Sequence, residues 1–212
     1  MTEAADPGAQ WLGWLRGIQA IAQEGLLYAQ SPFDQARYER LRALSTAMGD
    51  ALVEAEPGRV RALLDAEPGY LTPKLDVRAA VHHAQGRVLL VRETADGRWS
   101  LPGGWADVGE SLAEGVVREV SEESGFTVVV ERLLGIYERE RWGHPPMLFF
   151  TLKAVLACRL VSGTATTSVE TSEIGWFGRD ELPELSTGRS SPQLLARVFE
   201  HFDDPRLPPD LS

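Results

Sequence analysis

Long apolar runs, paired cysteines and basic stretches are all missing from this chain, and each absence excludes a class of protein. No run of about 18 apolar residues occurs, so no membrane-spanning helix is expected. Cys158, inside an apolar run, is the single cysteine. No intramolecular disulfide can form, which points to a reducing, cytoplasmic setting. Lysine and arginine total 21 against 31 aspartates and glutamates, a formal net charge of −10. With that charge and no basic stripe, nucleic acid is not an expected partner. A polyanionic substrate would need local arginine or lysine, or a metal ion. The opening MTEAADPGAQ has no basic segment, so it does not read as a secretion signal. What is present is 212 residues with 43% hydrophobic and 25% charged side chains, enough for a packed core in one or two domains.

Two grammars follow one another along the chain. Residues 1–8 are expected to be disordered. A helix is then expected from Gln10 to Ala29, because Trp11, Trp14, Ile18, Ile21 and Tyr28 recur at three- and four-residue steps. Ser31-Pro32 opens a second helix with Phe33, Leu41, Leu44, Met48 and Leu52 on one stripe. Glu-Pro-Gly breaks at 56–58 and 67–69 bracket a short helix from Val60 to Ala66. The stripes read as packing surfaces, against the rest of the chain or a second copy. After a linker at Tyr70–Lys74 the pattern becomes strand-like. Strands are expected at Asp76–Val81, Val88–Glu93, Trp99–Leu101, Thr127–Leu134, Ile136–Arg141, Met147–Val161 and Ile174–Phe177, with a polar loop at Gly163–Ser172. Ser191-Pro192 opens a last helix to Phe202, and the proline-rich tail is expected to fray. The organisation is thus a small all-α domain over 1–69 and a mixed α/β sandwich over 70–212.

The chemistry concentrates between Gly104 and Phe126, GWADVGESLAEGVVREVSEESGF. Ser111 and Glu114 form a capping-box signature for a helix, and Gly125 suits its end. On that helix Glu119, Glu122 and Glu123 stand at i, i+3 and i+4, hence on one face. Three crowded carboxylates repel one another, and protonation or a cation must relieve them. Hard oxygen donors select Mg²⁺, with Mn²⁺ as its substitute. Glu110 brings a fourth carboxylate to the helix entrance. Arg118, the one basic residue on the helix, would hold carboxylates in place. Gly103 and Gly104 allow close backbone approach, and a carbonyl there can be a ligand. A solvated acidic face would alternate charges of both signs, which this helix does not.

This stretch matches, at every fixed position, the Nudix box Gx5Ex7REUxEExGU, where U is apolar. The chain therefore resembles the Nudix hydrolases. The resemblance implies an α/β/α sandwich with a mixed sheet, and a pyrophosphatase that hydrolyses a nucleoside diphosphate linked to another group. It implies Glu119, Glu122 and Glu123 as metal ligands, Arg118 as their orienter, Glu119 as base or its positioner, and Glu110 as a structural residue or outer ligand. It also brings Glu170 and Glu173 forward, since the family often takes a base or extra ligand from the region before the last strand. The segments WLGWLRGIQAIAQEGLLYAQSPFDQARYERLRAL, PKLDVRAAV and ELPELSTGR resemble a bacterial subgroup with a helical N-terminal domain, associated with homodimer formation. In that subgroup CDP-choline and ADP-ribose are the first candidate substrates.

Outside the box, Arg78, Arg92, Arg139 and Arg141 lie on expected strands or strand ends, and their planar forks suit phosphate. Trp99 and Trp105 flank the Pro102-Gly103-Gly104 turn and could stack on a base or a choline-like cation. His144, in RWGHPP, reads as an exposed loop histidine that could shuttle protons. Two other functions keep the same scaffold: a non-catalytic nucleotide sensor, and RNA-end processing or exonuclease action.

Overall fold

A computed structural model describes residues 7–52, 56, 58–83 and 85–212. The expectation for residues 1–6, and the break at Pro57, lie outside the described residues; Pro7 and Gly8 are already helical. The chain divides into two compact units. The first holds α1 (Pro7–Tyr28), α2 (Pro32–Leu52) and α3 (Arg59–Asp65), together with residues 146–150. The second holds the rest of 74–212.

In the helical unit, the inward seam of α1 is not the tryptophan stripe. Leu15, Gln19, Ala22 and Gln23 are buried, whereas Trp11, Trp14, Ile21 and Tyr28 are exposed. The buried amides are satisfied: Ser45 Oγ donates to Gln19 Oε1 at 2.6 Å, and Gln23 Nε2 donates to Gly69 O at 2.8 Å. Arg16 donates to the carbonyls of Met147 and Leu148, which ties residues 146–150 into this unit. That segment was expected to begin a strand from Met147; the strand starts only at Thr151.

The second unit is a seven-stranded mixed sheet with helices on both faces. Its strands are β1 (Lys74–His83), β2 (Arg87–Glu93), β3 (Trp99–Ser100), β4 (Phe126–Glu138), β5 (Thr151–Gly163), β6 (Thr171–Phe177) and β7 (Asp210–Leu211). Its helices are α4 (Leu112–Ser124) and α5 (Pro192–Asp203). The order is β3-β2-β1-β5-β4-β7, with β6 also paired to β2. β1 and β5 are parallel, and β4 and β5 antiparallel. β4 was expected as two strands divided near Gly135; register shifts there absorb the irregularity and the strand runs through.

Alternation along the strands sorts the core into two layers. Val77, Ala79 and Val81 of β1 and Ala154, Leu156 and Cys158 of β5 pack with Val116 and Val120 of α4. Ala80 of β1 and Val155 and Ala157 of β5 pack with Leu194, Leu195, Val198 and Phe199 of α5. Each fully buried branched side chain contributes about 1.5–3 kcal/mol. α5 is capped by Ser191 Oγ, which accepts from Leu194 N, with Pro192 in the first turn.

The tail does not fray. β7 pairs with β4 at Gly135 and Ile136, and Asp210 accepts from Tyr137 Oη at 2.8 Å and from both arms of Arg197 at 2.7 Å. Hydrogen bonds from Arg197, then from His201 and Tyr137, hold the Asp210 carboxyl well below the usual carboxylate range. Among the described residues, no helix is long and apolar enough to cross a membrane.

Candidate active site

The site is assembled from one helix and one turn. α4 starts with a complete capping box: Glu114 N donates to Ser111 Oγ, and Ser111 N donates to Glu114 Oε2 at 2.8 Å. Such a cap contributes about 1 kcal/mol. Val116 and Val120 anchor one side of α4 in the core; Glu123 is buried on that same side, Glu119 is largely buried beside it, and Glu122 is exposed. Gly125, with φ 70°, ends the helix.

The Pro102-Gly103-Gly104 turn lies along β1. Ala79 N donates to Pro102 O and Val77 N donates to Gly104 O, both at 2.8 Å. Of the three carbonyls, that of Gly103 is the one not committed to β1. Gly103 has φ 142°, and a Cβ there would sit 2.0 Å from Val77 O, so no larger residue fits. Gly103 N donates to Glu123 Oε2 at 2.9 Å. At Gly104 an added Cβ would meet Glu119 Oε1 at 2.9 Å, which marks how closely that carboxylate lies on the turn.

Arg118 stands among the acids. It bonds Glu110 through Nε at 3.0 Å, Glu119 through Nη1 at 2.9 Å and Glu122 through Nη1 at 3.1 Å, with Asp107 at 3.2 Å. Glu122 is exposed, whereas Glu123 is buried. Burial pushes the Glu123 carboxyl up to about 8, with Glu93 and Glu119 adding to the rise against the Gly103 N–H and Arg78. Glu119 is also raised, by burial first and then by Glu122, with Arg118 opposing. Among the described residues no three His, Cys, Asp or Glu side chains stand close enough to hold one ion as they lie. The donor set nonetheless fits a hard divalent cation. Carboxylates outnumber their cationic neighbour, and two of them are raised by burial and mutual repulsion, a strain that a cation relieves.

The other expected site residues divide. Glu170 is exposed, and Glu173 of β6 pairs with Arg92, whose Nε also donates to Gly97 O at 2.7 Å. The loop before β6 is tied to the end of α4, since Thr171 Oγ1 donates to Glu123 O at 2.6 Å. Arg78 is buried, bidentate to Asp76 at 2.8 Å, and donates to Leu101 O at 3.1 Å. It holds the turn rather than facing outward. Arg139 and Arg141 lie on a 3-10 helix, Arg139–Trp142, rather than on a strand. Arg139 is buried and donates to Gly188 O and Pro145 O, while Arg141 is exposed and pairs with Glu138 at 2.9 Å. Trp99 packs edge-on against Phe177 at 4.8 Å, a core role. Trp105 remains half exposed beside the turn. His144 is 4% exposed, not an open loop histidine.

Four charged residues escaped the sequence reading. Glu93 is buried, accepts from Ser100 Oγ at 2.6 Å and pairs with Arg189 at 3.2 Å. Asp76 joins Arg78 to Lys153, whose Nζ lies 3.0 Å from Asp76 Oδ1. The available signal was a lone charge inside an apolar strand for Lys153, in TLKAVLAC; Glu93, next to Arg92 at the end of its strand, offered none.

Comparison with known proteins follows the same division. Residues 72–198 match the model of the NUDIX domain, and residues 9–64 match that of a UDP-X-like, N-terminal oligomerisation domain. A Bacillus subtilis (strain 168) protein named "Putative ADP-ribose pyrophosphatase YjhB" is 39% identical over 92% of this chain and 94% of its own length. The crystal structure of a UDP-X diphosphatase superimposes with a TM-score of 0.63 at 30% identity, covering 97% of this chain and 99% of that one. An ADP-ribose pyrophosphatase from Streptococcus suis 89-1591 aligns with a TM-score of 0.61 at 37% identity, over 66% of this chain and all of that one (100%).

Proposed function

The chain belongs to the Nudix hydrolase family, and on that premise we propose that it is a Mg²⁺-dependent diphosphatase of nucleotide conjugates. ADP-ribose, CDP-choline and UDP-linked compounds are its first candidate substrates. The observation that carries this reading is the convergence of Glu119 and Glu123 on the Pro102-Gly103-Gly104 turn, with Arg118 bonded to Glu110, Glu119 and Glu122.

Glu119, Glu122, Glu123 and the Gly103 carbonyl would hold the divalent ion. When bound, it neutralises the diphosphate and makes a water molecule more acidic. The chain's own groups do the rest. Arg118 fixes the Glu119 and Glu122 carboxylates against their mutual repulsion. Glu119, lying on the Gly104 backbone, is the carboxylate that takes the proton of the attacking water. Water oxygen bonds to one phosphorus and the bridging P–O bond breaks, giving a nucleoside monophosphate and a second phosphate ester. Glu170, exposed on the loop tied to α4, is a further carboxylate available to that proton. Trp105, beside the turn, offers a face for a base or a quaternary ammonium.

The helical unit supports a homodimer, because Trp11, Trp14, Ile21 and Phe33 are exposed on a segment similar to an oligomerisation domain. The lone buried thiol of Cys158 supports a cytoplasmic setting. The test of the site is Glu122→Gln. Turnover of ADP-ribose and CDP-choline with Mg²⁺ should fall at least about 100-fold, the upper end of what outer-shell partners cost, with circular dichroism unchanged. Near-normal turnover would remove Glu122 from the site.

A further inference from the structure

Two buried polar residues of the sheet, Glu93 and Thr171, stand on the same face as the acidic helix. Along β2 and β6, Leu89 pairs with Trp176 and Val91 with Ile174, and Leu89, Ile174 and Trp176 pack in the layer under α4. A regular antiparallel ladder would next set Ser172 opposite Glu93. The register shifts after Arg92 instead, and Thr171 takes that place. A bulge of this kind re-aims a side chain. Here it turns the fully buried Thr171 toward the end of α4.

Glu123 lies in the last turn of α4, where carbonyls lack intrahelical partners. Thr171 Oγ1 supplies one: it donates to Glu123 O at 2.6 Å and accepts from Ser168 N at 3.2 Å. Across the strand pair, Glu93 is 4% exposed. Its Oε1 accepts from Ser100 Oγ at 2.6 Å and pairs with Arg189 Nε at 3.2 Å, which balances the buried charge. From Ser100 the chain runs directly into the turn, where Gly103 N donates to Glu123 Oε2 at 2.9 Å. The contacts therefore close on themselves. They pass from the Glu123 carbonyl to Thr171, across the register to Glu93, on to Ser100 and Gly103, and back to the Glu123 carboxylate.

Resting on the hydrolase reading, we infer that Thr171, braced by Glu93, is a positioning residue. Its hydroxyl fixes the end of α4 so that the Glu123 carboxylate stays against the Gly103 turn, where the divalent ion would be held. It acts through Glu123 and touches neither the ion nor the conjugate.

Thr171→Val keeps the shape of the side chain and removes the hydroxyl, and Thr171→Ser keeps the hydroxyl. Mn²⁺ binding is followed by electron paramagnetic resonance on the full-length protein without any conjugate. Thr171→Val should weaken it about tenfold, the low end for a group that orients a metal ligand, and Thr171→Ser should recover most of that loss. KM for whichever of ADP-ribose, CDP-choline or a UDP-sugar the wild type cleaves should stay within about twofold at saturating Mn²⁺, with the loss in kcat. In a Glu123→Gln background, Thr171→Val should cost less than about twofold, because the residue it acts through is already gone. Glu93→Gln keeps an acceptor for Ser100 but not the charge that holds Arg189, and should weaken Mn²⁺ binding in the same direction. Wild-type Mn²⁺ affinity in folded Thr171→Val, or an equal loss with and without Glu123, would overturn the positioning role and leave the hydrolase reading intact. Should Thr171→Val not fold, unchanged affinity in Glu93→Gln would overturn it. A wild-type protein that neither binds Mn²⁺ nor cleaves any conjugate would remove both.

Discussion

The two units dispose of their apolar side chains in opposite ways. The sandwich closes on itself: Val77, Ala79, Ala80 and Val81, the run Val88 to Val91, and Leu194, Leu195 and Val198 have no exposure and pack between two helices and a sheet. The helical unit seals a narrow seam at Leu15, Ala22, Val60 and Leu64 and leaves Trp11, Trp14, Ile21, Tyr28 and Phe33 open. A self-sufficient core can hold chemistry on its rim. An open apolar face gains its stability from a partner. On the proposed dimer, chemistry and assembly are separable, and substitutions in one unit should leave the property of the other intact.

The largest expected effect tests the sandwich. Gly103→Ala places a methyl group 2.0 Å from the Val77 carbonyl, a backbone atom with nowhere to move. The turn must leave β1, and both the fold of the sandwich and turnover should be lost. Soluble, active protein with a wild-type melting temperature would mean that the turn is not rigid. Next comes the helical face. Trp11→Glu combined with Trp14→Glu should convert a dimer to a monomer in light scattering, raising Kd by roughly 30-fold or more for each anchor removed. A dimer that persists would move the interface elsewhere.

A smaller effect sharpens the account of Glu123. Its folded pKa stands at about 8 against an ordinary 4.5. Between those values the folded protein keeps a proton that the unfolded chain has lost. The stability linked to that proton is present below pH 4.5 and lost as pH rises toward 8. In chelator-treated protein, the melting temperature should therefore fall over this window relative to Glu123→Gln. At pH 7, adding Mg²⁺ should release a proton. A pH-independent difference between the two proteins would contradict the raised pKa.

What could be read from the sequence was local. The capping box at Ser111, the stop at Gly125 and the single face bearing Glu119, Glu122 and Glu123 depend on spacings of three and four residues. What escaped depends on pairing across the chain. Asp76 meets Lys153 only because β1 and β5 run parallel in one register, and no local pattern specifies that partner. Glu93 is paired by Arg189, and Asp210 by Tyr137, Arg197 and His201, so neither a strand-end acid nor a proline-rich tail revealed its anchorage. On α1 periodicity found the tryptophan stripe but could not tell a face turned inward from one left open, because the inward seam is lined with paired glutamines.

On the proposed function, this acidic helix and its glycine turn break a diphosphate. Phosphorus NMR of the wild-type protein with Mg²⁺ and, separately, ADP-ribose, CDP-choline and a UDP-sugar tests it most directly. The diphosphate resonances of at least one conjugate should be replaced by those of two phosphate monoesters, and chelation should stop the change. Diphosphate signals that persist while the protein binds the conjugate would contradict it and leave a nucleotide-binding module.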